Sequence, residues 1–204
     1  MLGMADSKDS DRFRLGVNYW PRSKAMYWWL DFDGAEVADE FDVIADIGMD
    51  TVRIFLLWDD WQPTPDVVSP QRLRDFGELC DIAVGRGLEL DVTFFTGHMS
   101  GPNWAPGWLL DADTTQYPAR NRLQVVSGGN VVEASYRNMF HDPVALRAER
   151  LLLETVVGAY RDHEAIWMWN LGNEPDLFAE PHSAAAGRAW MRDMSSLIKS
   201  IDPH

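Results

Sequence analysis

Short apolar runs alternate along this chain with longer segments in which apolar residues recur every three or four positions. The short runs are rich in β-branched and aromatic residues, which is typical of strands buried in a sheet. Predicted strands cover residues 13–19, 51–57, 88–95 and 166–171. Predicted helices cover residues 35–47, the segment from Ser69 to Gly85 and Gly87, residues 142 to about 163, and residues 183–201.

Local signals support the ends of these helices. Ser69 and Asp142 are each followed by proline, the pattern of an N-cap and a first helical turn, and Gly48 is a natural C-terminal stop. Between residues 96 and 141, glycines and prolines break every periodic pattern, and no long element is predicted there. A loop of this length in a compact domain is usually functional.

A strand followed by a helix occurs four times, which predicts an α/β fold with parallel strands joined by right-handed crossovers. Two architectures fit: an open doubly wound sheet, or part of a closed barrel. No glycine-rich phosphate turn follows the first strand, so the barrel is favoured. A complete (β/α)8 barrel needs roughly 250 residues, and this chain supplies four of the eight units.

Charge and cysteine content limit the classes of partner and of covalent cross-link that the chain can have. The 204 residues carry a formal charge of −14, which disfavours nucleic acid and anionic membranes. The single cysteine, Cys80, excludes an intrachain disulfide framework. Residues 1–12 are polar and are expected to form a flexible leader, and because no signal peptide is visible we expect a cytoplasmic location by default. His141, His163 and His182 lack a metal-binding spacing, so neither metal nor cofactor is predicted.

The candidate chemistry lies in the segment Ile166–Asp176, IWMWNLGNEPD. It is expected to form a buried strand that delivers Glu174 to a loop at the strand's carboxyl end, where α/β folds build their active sites. Trp167 and Trp169 could provide apolar surroundings that raise the pKa of Glu174 and make it a general acid, although packing is the favoured role for both. The alternative is an ordinary loop carboxylate.

Four motifs together resemble retaining β-glycosidases of glycoside hydrolase family 5, the cellulase-like and mannanase-like enzymes of clan A. They are GVNYWP, TVRIFLLW, TFFTGH and IWMWNLGNEPD, at the first, second, third and fourth strands. The resemblance covers residues 14–201 and implies the first four β/α units of a (β/α)8 TIM barrel. Residues 13–204 would then be a partial glycosidase barrel domain.

The resemblance also implies roles for particular residues. Glu174 matches the acid/base, and Asn173 the residue that hydrogen-bonds the sugar 2-hydroxyl. Arg53 matches an arginine that braces the nucleophile, and His98 a histidine of the substrate site. Alternatively, His98 is a polar loop residue whose hydrogen bonds are satisfied within the fold. The nucleophile, which follows strand seven in this clan, has no counterpart in the chain. Because a fixed cation suits a nucleophile and not an acid, Arg53 is expected on the far side of the pocket from Glu174. Alternatively, Arg53 forms a structural pair with Asp91.

Tryptophans are unusually frequent, ten in all, and they stack well on sugar rings. Trp58 and Trp61 after the second strand, and Trp104 and Trp108 in the long loop, are each either sugar platforms or loop core. The adjacent acids Asp59 and Asp60 are expected to be solvated loop charge.

The favoured function is therefore a glycosidase that cleaves O-glycosidic bonds of a β-linked glycan or glycoside. Its expected partner is the carbohydrate substrate, and neither nucleic acid nor a membrane is expected. The expected protein partner is either a second copy of the chain or a complementing C-terminal half. The chain alone is expected to be inactive. Two alternatives remain: a non-catalytic carbohydrate-binding protein with a tryptophan-lined cleft, and an open-sheet nucleotide-binding domain.

Overall fold

A computed structural model describes residues 13–110 and 123–203. The predicted leader, residues 1–12, lies outside the described residues. Seven strands and six α-helices are described, and two short 3-10 helices, Ala25–Tyr27 and Gly107–Leu109, accompany them. The strands are β1 (Gly16–Asn18), β2 (Thr51–Leu57), β3 (Glu89–Thr96), β4 (Asn103–Trp104), β5 (Leu123–Ser127), β6 (Asn130–Ala134) and β7 (Ile166–Asn170). The α-helices are α1 (Gly34–Asp46), α2 (Trp58–Trp61), α3 (Pro70–Val84), α4 (Pro143–Tyr160), α5 (Pro175–Phe178) and α6 (Ala184–Ile201).

The main sheet has the order β1-β2-β3-β7, and every pairing in it is parallel. This confirms the α/β prediction and the parallel strands. Asn18 pairs with Arg53, Arg53 with Asp91, and Thr93 with Asn170. Since alternate residues of a strand point to opposite faces, these side chains share one face of the sheet. We call it the polar face, and it consists of Asn18, Arg53, Asp91, Thr93 and Asn170.

The opposite face of the sheet carries the core. Val52, Ile54 and Leu56 of β2 are fully buried and belong to one hydrophobic cluster with residues of α1, α3 and α4. The inner face of α3 packs into this core, because Phe76, Leu79, Cys80 and Ala83 are all buried. Within the described residues, no helix is both long and apolar enough to cross a membrane.

The predicted helix ends are confirmed by their caps. The Ser69 side chain accepts a hydrogen bond from the backbone N–H of Arg72, and Asp142 accepts bonds from Val144 and Ala145. Gly48 follows α1 with a φ of 84°, a left-handed conformation that glycine adopts without strain.

Three expectations need correction. The first strand is shorter than predicted, only Gly16–Asn18. The long stretch after β3 is not without structure: β4, β5 and β6 form a second sheet of three strands, which the glycines and prolines concealed. The strand β7 is not fully buried, because it is an edge strand of the described sheet. Trp167 is 40% exposed there.

Candidate active site

Glu174 follows β7 at the carboxyl end of the sheet and occupies an unusual backbone conformation. Its φ is 46° and its ψ is 50°, in the left-handed region, immediately before the short helix α5. A non-glycine residue costs about 1–2 kcal/mol there, so the surrounding structure must hold it. Pro175 fixes the first position of α5, and the Leu177 N–H donates to the Glu174 carbonyl at 2.9 Å. The Glu174 side chain is 56% exposed and points away from the core.

Arg53 is the centre of the hydrogen-bond network at this site. Its Nε donates to Thr93 Oγ1 at 2.9 Å, its Nη1 to Asn173 Oδ1 at 3.2 Å, and its Nη2 to the Gly172 carbonyl at 3.4 Å. The Arg53 guanidinium also lies over the Phe55 ring, 4.8 Å from its centroid. The planar fork of donors therefore ties β2 to β3 and to the loop after β7.

The position of Arg53 corrects the expectation that it lies far from Glu174 and agrees with the expected contact with Asp91. Arg53 is not on the far side of the pocket from Glu174, because it holds Gly172 and Asn173, the two residues that precede Glu174. The structural alternative is also present, since Arg53 Nε lies 3.7 Å from Asp91 Oδ2. Burial raises the pKa of Asp91, while Arg53 and a hydrogen bond from Asn170 oppose that rise.

Asn173 is held on both sides of its amide. Its Oδ1 accepts from Arg53, and its Nδ2 donates to the His98 carbonyl at 3.0 Å. Nδ2 also lies 3.9 Å from Met99 Sδ, which is a weak acceptor. The amide plane is thus fixed, and a ligand hydroxyl could replace the thioether as the second acceptor at Nδ2.

His98 lies next to Glu174. Its Nε2 is 3.8 Å from Glu174 Oε2, and its Nδ1 is 2.9 Å from Asn103 Oδ1. The His98 side chain is 12% exposed, so the ring is held among neighbours while the carboxylate of Glu174 is open to solvent. The structure therefore brings Glu174, Asn173, Arg53 and His98 into one connected group.

For Trp167 and Trp169 the structure favours the packing role. The Trp167 ring is covered by the Arg14 guanidinium at 5.1 Å, and Trp169 Nε1 donates to Asp202 Oδ2 at 2.7 Å. Both tryptophans precede Glu174 by several residues, so their side chains lie farther back along the sheet. Their contacts with Arg14 and Asp202 hold them against neighbouring parts of the fold.

For the tryptophans near the second strand and in the long loop, the structure favours the packing role. Trp58 is 1% exposed, Trp61 is fully buried and Trp104 is 7% exposed. Trp58 Nε1 donates to Gln62 Oε1 at 2.7 Å, and Trp108 Nε1 donates to the Gln62 carbonyl at 2.7 Å. Trp58 and Trp108 also pack edge to face, 5.5 Å between centroids. A buried indole presents no free face to a sugar ring, so Trp58 and Trp104 are not stacking platforms in this arrangement.

Asp59 and Asp60 are not ordinary solvated loop charges. Burial, and then repulsion from Asp59, raise the pKa of Asp60 to about 7 against the attraction of Arg72. Burial also raises the pKa of Asp59, opposed by a hydrogen bond from the Gly128 N–H at 2.8 Å. The short helix α2 folds both acids inward, which the sequence did not indicate.

Asn103 and Thr93 are members of the site that sequence reasoning missed. Thr93 could have been found, because it lies on the polar face two residues beyond Asp91, which is the register partner of Arg53. Asn103 gave no signal, because its contact with His98 depends on a turn and on the second sheet. In the described part of the chain, no three His, Cys, Asp or Glu side chains group in a way that could hold a metal ion.

Comparison with known proteins shows which sequences and folds the chain is similar to. The chain is 28% identical over 164 residues to a probable mannan endo-1,4-β-mannosidase C of Aspergillus terreus. Its fold matches a variant of the GH5_18 enzyme of Streptomyces cattleya in complex with Manβ1-4GlcNAc, with 27% identity and a TM-score of 0.75. It also matches the exo-β-1,4-mannosidase Op5Man5 of Opitutaceae bacterium strain TAV5, with 27% identity and a TM-score of 0.75. No family model matches the chain.

The chain spans only part of these proteins. The Aspergillus match covers 76% of this chain and 34% of the relative. The Streptomyces match covers 93% of this chain and 42% of that chain, and the Opitutaceae match covers 95% and 31%. Nearly the whole of this polypeptide therefore corresponds to less than half of each solved enzyme.

Proposed function

Because this chain is a family 5-like glycoside hydrolase sequence of the mannanase-like group, we propose that it provides the acid/base side of an active site that hydrolyses β-mannosidic bonds with retention. Glu174 is the acid/base, Asn173 binds the sugar next to the scissile bond, and Arg53 and His98 hold these two residues in place. The observation that carries the proposal is the position of Glu174, exposed at the carboxyl end of β7 beside an Asn173 whose amide is fixed by Arg53.

The chemistry requires two carboxyl groups about 5 Å apart. In the first step, protonated Glu174 gives its proton to the glycosidic oxygen while the second carboxylate attacks the anomeric carbon, so the C–O bond breaks and a glycosyl ester forms. In the second step, the Glu174 carboxylate takes a proton from water as the water oxygen attacks the same carbon and releases the ester. Glu174 ends the cycle protonated, and one water is consumed.

The Asn173 amide is suited to the sugar contact. Its Nδ2 can donate to a sugar hydroxyl in place of Met99 Sδ while its first hydrogen bond, to the His98 carbonyl, stays intact. Such a preorganised donor loses little entropy on binding and can strengthen its hydrogen bond as charge develops at the sugar. Arg53 keeps the amide oriented through Oδ1.

The second carboxylate comes, in this proposal, from polypeptide outside these 204 residues. The main sheet has β7 at one edge and β1 at the other, and unpaired edges recruit further strands. Beside β7 lies an apolar cleft of about 600 Å³. The cleft is lined by Met168, Trp169, Leu171, Pro175, Trp190 and Met191, among others. We propose that the described residues form half of a barrel, and that a complementing C-terminal half or a second copy covers this cleft.

A kinetic experiment tests the assignment of Glu174. The chain is assayed alone and together with a second half taken from a GH5_18 enzyme, on β-1,4-mannan, Manβ1-4GlcNAc and 2,4-dinitrophenyl β-mannoside. We expect activity only in the complemented sample. Glu174→Ala should abolish hydrolysis of both natural substrates. On the activated mannoside, which needs no acid, azide should restore turnover by forming a β-mannosyl azide.

A matched control uses the other end of the same strand. Glu164 is exposed and lies just before β7, far along the strand from Glu174. Glu164→Ala should therefore leave the kinetics unchanged. Equal loss in both variants, or normal turnover in Glu174→Ala, overturns the role of Glu174. Binding of Manβ1-4GlcNAc by calorimetry with no product from the complemented sample supports the non-catalytic alternative instead.

A further inference from the structure

The contact between His98 and Asn103 has no role in the reaction as described so far. We propose that Asn103 is a positioning residue that fixes the tautomer of His98, so that one proton is shared between His98 Nε2 and the Glu174 carboxyl. The inference about the shared proton rests on the proposed function, whereas the tautomer itself does not.

The backbone around Asn103 is set by several hydrogen bonds. His98 and Asn103 form an isolated antiparallel bridge, the Met99 N–H donates to the Pro102 carbonyl at 3.1 Å, and the Trp104 N–H donates to the Gly97 carbonyl at 2.9 Å. Asn103 and Trp104 form β4, which pairs in parallel with β5. The two side chains therefore face each other across a short closed turn, and the second sheet supports that turn.

The tautomer follows from the orientation of the Asn103 amide. With Oδ1 facing the ring at 2.9 Å, the amide oxygen can only accept a hydrogen bond, so in this orientation His98 Nδ1 carries the hydrogen. In neutral imidazole the lone pair then lies on Nε2. That nitrogen faces Glu174 Oε2 at 3.8 Å, so a small movement of the exposed Glu174 side chain is enough for a hydrogen bond.

The consequence is a pair that holds one proton in two arrangements. Either Glu174 is protonated and His98 is neutral, or His98 is an imidazolium and Glu174 is a carboxylate. In both, Nδ1–H stays bonded to Asn103. The first arrangement is the one that an acid needs before bond cleavage, and the second stabilises the carboxylate that activates water. The opposite tautomer would place a hydrogen on Nε2 in both arrangements and could not accept the Glu174 proton.

The ring of His98 is held from two sides. The His98 carbonyl accepts from Asn173 Nδ2, so the backbone of His98 is bound to the residue that precedes Glu174. With the backbone fixed from one side and Nδ1 from the other, the remaining ring nitrogen points towards the Glu174 carboxyl group.

The experiment is nitrogen NMR on the full chain labelled with ¹⁵N-histidine, with the His98 resonances assigned by their loss in His98→Asn. In the wild-type chain we expect neutral His98 to show a protonated Nδ1 and an unprotonated Nε2. Asn103→Ala should shift the ring to the Nε2–H tautomer that free histidine prefers. Asn103→Asp, which keeps an acceptor oxygen, should restore the Nδ1–H form. Asn130→Ala, a substitution of an exposed asparagine on the β5–β6 hairpin, should leave His98 unchanged.

A purely structural role for Asn103 would lower the stability of Asn103→Ala without moving the tautomer, so that result overturns the proposal. So does an Nε2–H tautomer in the wild-type chain. In the complemented enzyme, Asn103→Ala should lower kcat by about tenfold with KM unchanged, as for partners that orient catalytic groups. If the tautomer behaves as expected but no mannoside is hydrolysed, the proposed function fails and the positioning by Asn103 stands.

Discussion

Arg53 and Asn173 are 120 positions apart in the sequence and are joined by a hydrogen bond of 3.2 Å from the guanidinium to the amide oxygen. This bond links the second strand to the loop that carries Glu174. It also explains why an arginine interrupts the apolar run of β2: the side chain points to the polar face, while its neighbours Val52 and Ile54 are buried on the other.

We expect Arg53→Ala to lower the free energy of unfolding by about 1–3 kcal/mol, because Asn173 loses a hydrogen bond and Asp91 loses its cation. Arg53→Lys keeps the charge but not the planar fork of donors, so its free energy of unfolding should lie between those of the wild type and Arg53→Ala. Arg22→Ala is the control, since the Arg22 side chain is 91% exposed and pairs only loosely with Glu40 at 3.5 Å. Urea denaturation measures all three, and equal losses in Arg53→Ala and Arg22→Ala would contradict the network.

Asp60 should make stability depend on pH. Burial and repulsion from Asp59 raise its pKa from the ordinary value of 3.8 to about 7 in the folded chain, although the attraction of Arg72 opposes this rise. Between these values the folded state keeps a proton that the unfolded state releases, so stability should fall as pH rises from about 4 to about 7. Asp60→Asn removes this titration and should stabilise the chain at pH 8 by roughly 1–2 kcal/mol.

Thermal unfolding of the wild type and Asp60→Asn at pH 5 and pH 8 measures that difference. The gap between the two proteins should be larger at pH 8 than at pH 5. Asp66→Asn, a substitution of a nearby loop acid, is the control, and it should change the unfolding temperature by a similar small amount at pH 5 and at pH 8. A gap for Asp60→Asn that is independent of pH would show that Asp60 does not titrate in this way.

Glu149 is a buried acid away from the site. It lies in α4 at 0% exposure, and its Oε2 accepts from Trp190 Nε1 in α6 at 2.8 Å. Burial raises the pKa of Glu149 well above its ordinary value, opposed by Trp190 and Arg150. Glu149→Gln keeps the acceptor oxygen and should be tolerated or stabilising above pH 7, whereas Glu149→Lys should unfold the α4–α6 contact.

Circular dichroism melts and tryptophan fluorescence distinguish these two outcomes. Glu154 is the control position, because it is exposed on the same helix, and Glu154→Lys should be nearly neutral. If Glu149→Lys melts at the same temperature as Glu154→Lys, the buried hydrogen bond does not hold α6 against α4.

Two helical glycines form a matched pair for packing. A methyl group at Gly77 in α3 would lie 2.7 Å from the Tyr160 hydroxyl, which itself donates to the Leu73 carbonyl at 2.6 Å. A methyl group at Gly158 in α4 would meet nothing within 4 Å. Gly158→Ala should therefore stabilise by about 0.5–1 kcal/mol through helix propensity, and Gly77→Ala should destabilise because Tyr160 must move. Urea midpoints that shift in the same direction for both would contradict this packing.

The sequence by itself determined the order of the four main-sheet strands and the four long helices, and it indicated the end of β7 as the candidate place of the chemistry. These features follow from local periodicity and caps, which depend on neighbours along the chain. The resemblance of the strand motifs grouped Arg53, His98 and Asn173 with Glu174, and in the structure these four residues contact one another.

Only the tertiary structure decided which side chains are exposed and which partners they meet. Trp58 and Trp104 are as suitable for sugar stacking as for packing until the turn around Gln62 and the second sheet cover them. Nothing in the sequence distinguishes the Asp60 carboxylate, and its pKa is raised first by burial in the fold and then by the neighbouring Asp59. The contact of Asn103 with His98 likewise requires a closed turn and the support of β5. Burial and electrostatics depend on distances in space, and periodicity along the chain does not encode them.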